Sequence, residues 1–241
     1  ATLAAYDDAR GRPTEHAAYS GYSRLSAERS MVVTDAGPPP RGAYSVEAHA
    51  GCLAFEFSSG PQRIIVNCGV SRFGPPDLKL AARSTAAHST LVLDDRSSAS
   101  FGMVLGEMRI IAGPRDVRVA RQDTPEGPEW VASHDGYRRS LGAIHTRRLM
   151  LARDGAALAG EDEVALTGSR GELAAALRFH LHPNVRASLV RGGHGRRHAQ
   201  AGAARQRRLH PRERRQQPGR LDALPAAVAG DLPHRPGPVR L

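Results

Sequence analysis

Apolar residues recur at every second position in short runs along this chain, and turn-forming residues break those runs before they grow long. Leu53, Phe55 and Phe57 share one side of such a run and Ala54 and Glu56 the other, the period of a half-buried strand. Ser58-Ser59-Gly60-Pro61 has the composition of a chain reversal, and Ile64-Ile65-Val66 supplies a β-branched return strand, so the pair reads as a hairpin. His88 opens a third run, Ser89 to Leu93, which Asp94 and Asp95 close. Strands are also expected around Tyr22–Leu25 and Met31–Thr34, and at Met103–Ile111, Val117–Arg121, Trp130–Ser133, Ile144–Ala152, Ala157–Glu161 and Leu173–Leu181. Gly113-Pro114, Pro125 to Pro128, Asp135-Gly136 and Asp154-Gly155 separate them, and Asp35 to Pro40 stops the second strand because prolines remove backbone donors. No stretch has a convincing amphipathic helical period and no repeat is visible. The pattern predicts an all-β fold, an antiparallel β-sandwich of two stacked sheets.

A chain of 241 residues with 40% apolar content can bury a core, and no window approaches a membrane-spanning run. The net charge of +10 suggests nucleic acid until its distribution is counted. Residues 189–241 hold 12 Arg, no Lys and 3 acids, a net +9, which leaves the first 188 residues at +1. A nearly neutral body argues against specific nucleic-acid binding; binding through the tail alone would show steep salt dependence.

That tail uses only Arg, Gly, His, Ala, Gln, Leu, Pro, Glu, Asp and Val, the ten residue types whose codons begin with G or C. In a GC-rich gene the wobble base is nearly always G or C, so a slipped reading frame yields this alphabet. We expect a frameshifted, disordered C-terminus from about Leu189, with no strand beyond about residue 190. A genuine basic arm is the alternative, and the other reading frames of the coding DNA distinguish them. Residues 1–19 read as a linker, 20–188 as the sandwich and 189–241 as the tail. The start at Ala1 suggests a domain preceding the linker.

Candidate chemistry gathers at the strand mouths between residues 47 and 95, where His49, Asn67 and His88 fall. Other groupings carry less. Ser133-His134-Asp135 has the residue types of a triad, but strand neighbours point to opposite faces, so it reads as a turn before Gly136. His180 and His182 share a strand face and read as solvated. Glu161 and Asp162 face apart and suit hydrogen bonding better than a glycosidase dyad. Trp130 and five tyrosines are too sparse for a sugar-stacking platform. Cys52 and Cys68 flank the hairpin, either as buried free thiols or, in an oxidising compartment, as a disulfide.

SGYSRL, VVTDAGPPP, EAHAGCLAFEFSSG, VNCG, RSTAAHSTLVLDD, SHDGY, IHTRRLMLARDG and GED, from about residue 20 to 188, resemble the C-terminal β-sandwich domain of heparinase II/III family polysaccharide lyases. The resemblance implies a missing N-terminal α/α toroid, a periplasmic or envelope location, and an acidic polysaccharide as partner. It also implies a zinc ion held by two histidines and an aspartate. The family's HFDxLxxxF resembles the run from His49 to Phe57, its DYG resembles Asn67-Cys68-Gly69 and its AHNT resembles Ala87-His88-Ser89-Thr90, which carries the ligand set onto His49, Asn67 and His88. Asn67 replaces the aspartate and removes a formal charge, so Cys52, Cys68 or water would have to complete a shell, or the imidazoles hydrogen-bond without metal. The principal catalytic residues of the family lie in the toroid, and Glu47 stands where its sandwich supplies a histidine.

Two functions follow. One is a fragment of a lyase-like protein that cleaves uronate-containing polysaccharide by β-elimination when complete and lacks the catalytic set as given. The alternative is a noncatalytic sandwich that binds glycan or a partner protein; a helical-hairpin array encoded upstream favours the lyase.

Overall fold

The computed structural model describes residues 14–70, 73–167 and 173–191, together with the strand segments 197–203, 228–229 and 239–240. The first sheet has six strands in the order β1-β2-β3-β4-β5-β14. They are β1 (His16–Ala17), β2 (Tyr22–Ala27), β3 (Ser30–Asp35), β4 (Phe55–Ser59), β5 (Gln62–Val66) and β14 (His180–Leu181), all antiparallel. The second sheet orders β18-β12-β11-β10-β9, built from β9 (Val117–Thr124), β10 (Gly127–His134), β11 (Ala143–Leu151), β12 (Leu158–Leu166) and β18 (Val239–Arg240).

Leu25, Val32 and Phe55 of the first sheet and Trp130, Ala132, Leu149 and Leu151 of the second form one buried cluster, so the two sheets close face to face as the alternation predicts. Leu53 and Cys52 enter the same cluster from the loop before β4. A smaller core of Leu91, Leu93, Tyr137, Leu141, Ala143 and Leu177 joins β6 (Leu91–Leu93) and β13 (Ala175–Leu177) to the end of the second sheet. Gly127 permits the tight β9–β10 turn: its φ is +143°, and a Cβ there would lie 2.0 Å from the Leu151 carbonyl oxygen.

Several elements differ from the sequence expectation. The single strand foreseen at Met103–Ile111 is a hairpin, β7 (Ser100–Val104) and β8 (Glu107–Ala112), reversed at Leu105-Gly106 with φ of +52° and +80°. Leu at a left-handed turn position carries no turn signal in sequence. Pro76–Arg83 forms helix α1 and Arg138–Leu141 the single turn α2. In α1 only Arg83 is buried, so the helix has no apolar stripe to reveal it. Val185–Arg191 (β15) runs from the end of the expected sandwich into the tail and pairs there with Arg197–Ala203 (β16), and Val228–Ala229 (β17) joins β13. Strands β16, β17 and β18 fall beyond residue 190, where none was expected; the proline argument has no force before Pro211, and β16 precedes it. The rest of the disordered-tail expectation lies outside the described residues.

Candidate functional site

The loop before β4 is held by one buried cation. Arg83 sends Nε to the Ala48 carbonyl (2.8 Å), Nη2 to Ser45 (2.8 Å) and Nη1 to Met108 (3.1 Å), while its guanidinium lies 4.8 Å from the Phe101 ring centre. Thr85 Oγ1 donates to the Ala50 carbonyl at 2.7 Å. Between these anchors His49 is fixed next to His88, which follows a 3-10 turn at Thr85–Ala87.

His88 Nδ1 lies 2.7 Å from the Ser84 carbonyl and must donate to it, which leaves Nε2 bare to accept a proton from His49 Nδ1 at 3.0 Å. The rings meet edge to face at 86°. Burial lowers the His88 pKa to about 4, with His49 and His180 acting in the same direction against the Ser84 hydrogen bond. Burial and Arg83 also lower His49 below the usual imidazole value, opposed by Glu47. Both imidazoles are neutral at pH 7. Gly51 lies under this pair because a Cβ there would approach His88 Cδ2 to 2.8 Å.

Asn67, the third residue expected here, faces a different task. Its Oδ1 accepts the Ser89 amide proton at 2.9 Å and its Nδ2 donates to Glu56 Oε1 at 3.3 Å. The amide reaches the His pair only through the Ser89 backbone. These residues do not fit zinc: the nitrogen that each imidazole turns to the other is used in a hydrogen bond, and the Asn67 oxygen is taken by an N–H. Among the described residues, no group of three or more His, Cys, Asp or Glu is placed to hold a metal ion.

Both cysteines are free; Cys52 is buried, its thiol pushed well up by burial, and Cys68 is exposed. Cys68 Sγ lies 3.3 Å from His180 Nδ1, and His180 Nε2 donates to the Ala86 carbonyl at 3.0 Å, so the thiol is the donor. His180 and His182, expected to be solvated, are half-buried and engaged, His182 with Arg63 at 3.4 Å.

A second polar cluster was missed in the sequence. Arg147 on β11 and Asp162 on β12 form a buried two-pronged ion pair, Nε to Oδ1 at 2.8 Å and Nη2 to Oδ2 at 3.0 Å. The Gly136 amide donates to His134 Nδ1 (3.0 Å), so His134 Nε2 carries the proton facing His145 Nδ1 (3.3 Å). His145 Nε2 then donates to Asp162 at 2.6 Å. Burial, and the neighbouring charges with it, holds His134 well below the usual imidazole value. Burial alone would raise Asp162, but Arg147 and His145 outweigh it and hold the carboxyl low. The signal was present: in Ala143 to Leu151 every second residue is buried, which puts His145 and Arg147 on the same inward side as Leu149. His134 ends β10 and Asp135 receives the Arg115 and Asp116 amides, so Ser133-His134-Asp135 is no triad. Asp162 has the structural hydrogen-bonding role expected of it.

The fold and site thus define a two-layer antiparallel sandwich with a histidine pair at the mouth of its first sheet. The family model described as "Heparinase II/III-like, C-terminal" matches residues 9–218, and the chain belongs to that family. It is 36% identical over 208 residues to FtsZ-localized protein C of Caulobacter vibrioides, covering 80% of this chain and 35% of that relative. A heparinase III structure matches with a TM-score of 0.54 at 15% identity, over 75% of this chain and 25% of the enzyme. Heparan sulfate lyase HepC from Pedobacter heparinus matches with a TM-score of 0.51 at 17% identity, over 78% of this chain and 27% of that one. These likenesses carry the fold; the chain spans about a third of the curated relative's length. No helix among the described residues is long and apolar enough to cross a membrane.

Proposed function

We propose that this sandwich is a recognition module of a lyase-like protein: it contacts an acidic, uronate-containing polysaccharide and does not carry out β-elimination by itself. Elimination needs a base at the proton beside the carboxylate, a group that neutralises that carboxylate and an acid at the leaving oxygen. The observation that carries the proposal is the internal use of the polar groups at the site. His88 spends both ring nitrogens and Asn67 spends its oxygen and one N–H on protein partners, while His49 Nε2 has no hydrogen-bond partner among the described residues. Glu47, exposed at the mouth, has the wrong charge to neutralise a uronate. Complete, the protein acts on such a polysaccharide by elimination, with the chemistry supplied from outside this chain.

The test mixes the 241-residue chain with heparan sulfate and with a uronate-free anionic polymer. Retardation in affinity electrophoresis with heparan sulfate alone, and no ultraviolet absorbance from an unsaturated uronate, supports the proposal. Equal retardation by both polymers, or product formation, overturns it.

A second reading has its own observation. The relative with 36% identity over 80% of this chain is named for its localisation with FtsZ, which favours a module that docks on a protein partner. Co-sedimentation with FtsZ polymers and no retention by heparan sulfate would select it.

A further inference from the structure

We propose that Arg147 is the positioning residue of the His49–His88 pair, acting from the opposite sheet by clamping together the two loops that carry these imidazoles. This rests on the reading of that pair as the recognition site. The guanidinium is fully buried, and Asp162 engages two of its nitrogens, which fixes the plane of the fork. The third nitrogen then faces away from Asp162 and across the sandwich. Its two protons go to the carbonyls of Leu53 (2.9 Å) and Ser89 (2.8 Å).

Each carbonyl belongs to one of the site's loops. Leu53 ends the loop that begins at His49, and its φ of +61° is a left-handed conformation that a bulky residue adopts only when its surroundings enforce it. The Leu53 amide is on the Asp35 carbonyl at 2.7 Å and its own carbonyl is on Arg147, so both backbone groups are committed. Ser89 follows His88 directly. Its amide proton is on Asn67 Oδ1, its hydroxyl donates to the Val66 carbonyl and accepts the His180 amide. One guanidinium nitrogen therefore sets the separation of the His49 and His88 loops, and reaches Asn67 and His180 through Ser89. Lysine could not reproduce this, because an ammonium has no planar fork to divide between a carboxylate on one side and two carbonyls on the other.

The experiment is nitrogen-15 NMR of the histidine rings in Arg147→Lys at neutral pH, without polysaccharide, so that failure of glycan binding leaves the result standing. Trp130 fluorescence reports whether the core is intact, and His16, bonded to Ser23 on the far strand pair, is the reference. In the unaltered protein His88 is expected to show one tautomer, protonated at Nδ1. With the core intact, the variant is expected to lose that single tautomer at His88 and to show exchange-broadened His49, and the Leu53 amide is expected to exchange about tenfold faster, the equivalent of one lost hydrogen bond. Wild-type His49 and His88 signals in a folded variant overturn the proposal. If the variant fails to fold, the unaltered protein decides. Resolved, slowly exchanging Arg147 Nη1 protons support the clamp, and a single averaged guanidinium signal overturns it.

Discussion

Replacing Asp162 with Ala tests whether the buried ion pair organises the sandwich. The carboxylate is 1% exposed and receives three hydrogen bonds, two from Arg147 and one from His145. Without it, Arg147 keeps the Leu53 and Ser89 carbonyls and the Phe55 ring face but no anion among the described residues, and its guanidinium stays in the interior. Removing one partner of a buried pair costs about 3–5 kcal/mol, a large part of the roughly 5–15 kcal/mol that holds a typical domain together. At roughly 2–4 °C per kcal/mol for a domain of this size, melting should fall by about 6–20 °C. Urea unfolding followed at Trp130, which is fully buried in the main core, reads the loss directly. The double variant Asp162→Leu with Arg147→Met removes both charges and should recover at least half of it. A loss below about 1 kcal/mol for Asp162→Ala, the range of a surface pair, would refute the reasoning, as would a double variant no better than the single one.

Other expectations follow from the same geometry. Gly51→Ala places a methyl group 2.8 Å from His88 Cδ2; thermal melts should show a loss of about 1–3 kcal/mol, the cost of overpacking, and the His88 ring signals should shift. Acid should destabilise the fold through His88: its folded pKa of about 4 lies below the ordinary 6.5, so the unfolded chain binds the proton first and stability falls as pH drops from about 6.5 toward 4. Asp35 acts in the opposite sense, because burial raises its pKa from 3.8 to about 6, and its cost at neutral pH is relieved as pH falls through 6. Asp35→Asn should therefore steepen the acid loss measured by urea titration at pH 5 against pH 7, and an unchanged difference would remove this assignment. Asn67→Asp supplies a carboxylate but leaves His88 tied to Ser84 and His49, so isothermal titration should find no tight zinc site in the variant; one tight equivalent would contradict the hydrogen-bonded reading of the pair.

Most strands and their inward faces were legible because alternation is a local signal: the buried Leu25, Val32, Phe55, Leu149 and Leu151 lie on the inward beats of their runs. The β7–β8 hairpin was not, since its turn places Leu105 in a conformation that residue type does not advertise. His49 and His88 were found by position and do meet, but the role of Asn67 was invisible because its partner, the Ser89 amide, is a backbone group brought in by the fold. Arg147 shows a further limit. Its inward beat on β11 marks it as buried, yet the carbonyls it binds lie 94 and 58 residues away in sequence, and only the closed sandwich brings them together.

The most direct test of the hydrogen-bonded, metal-free reading of the His49–His88 pair is the zinc content of protein refolded with excess metal and then exhaustively dialysed. Internal satisfaction of both imidazoles and of Asn67 predicts well below one equivalent, unchanged when His49 or His88 is replaced by Ala. One tightly held equivalent, lost in either of those variants, would contradict it.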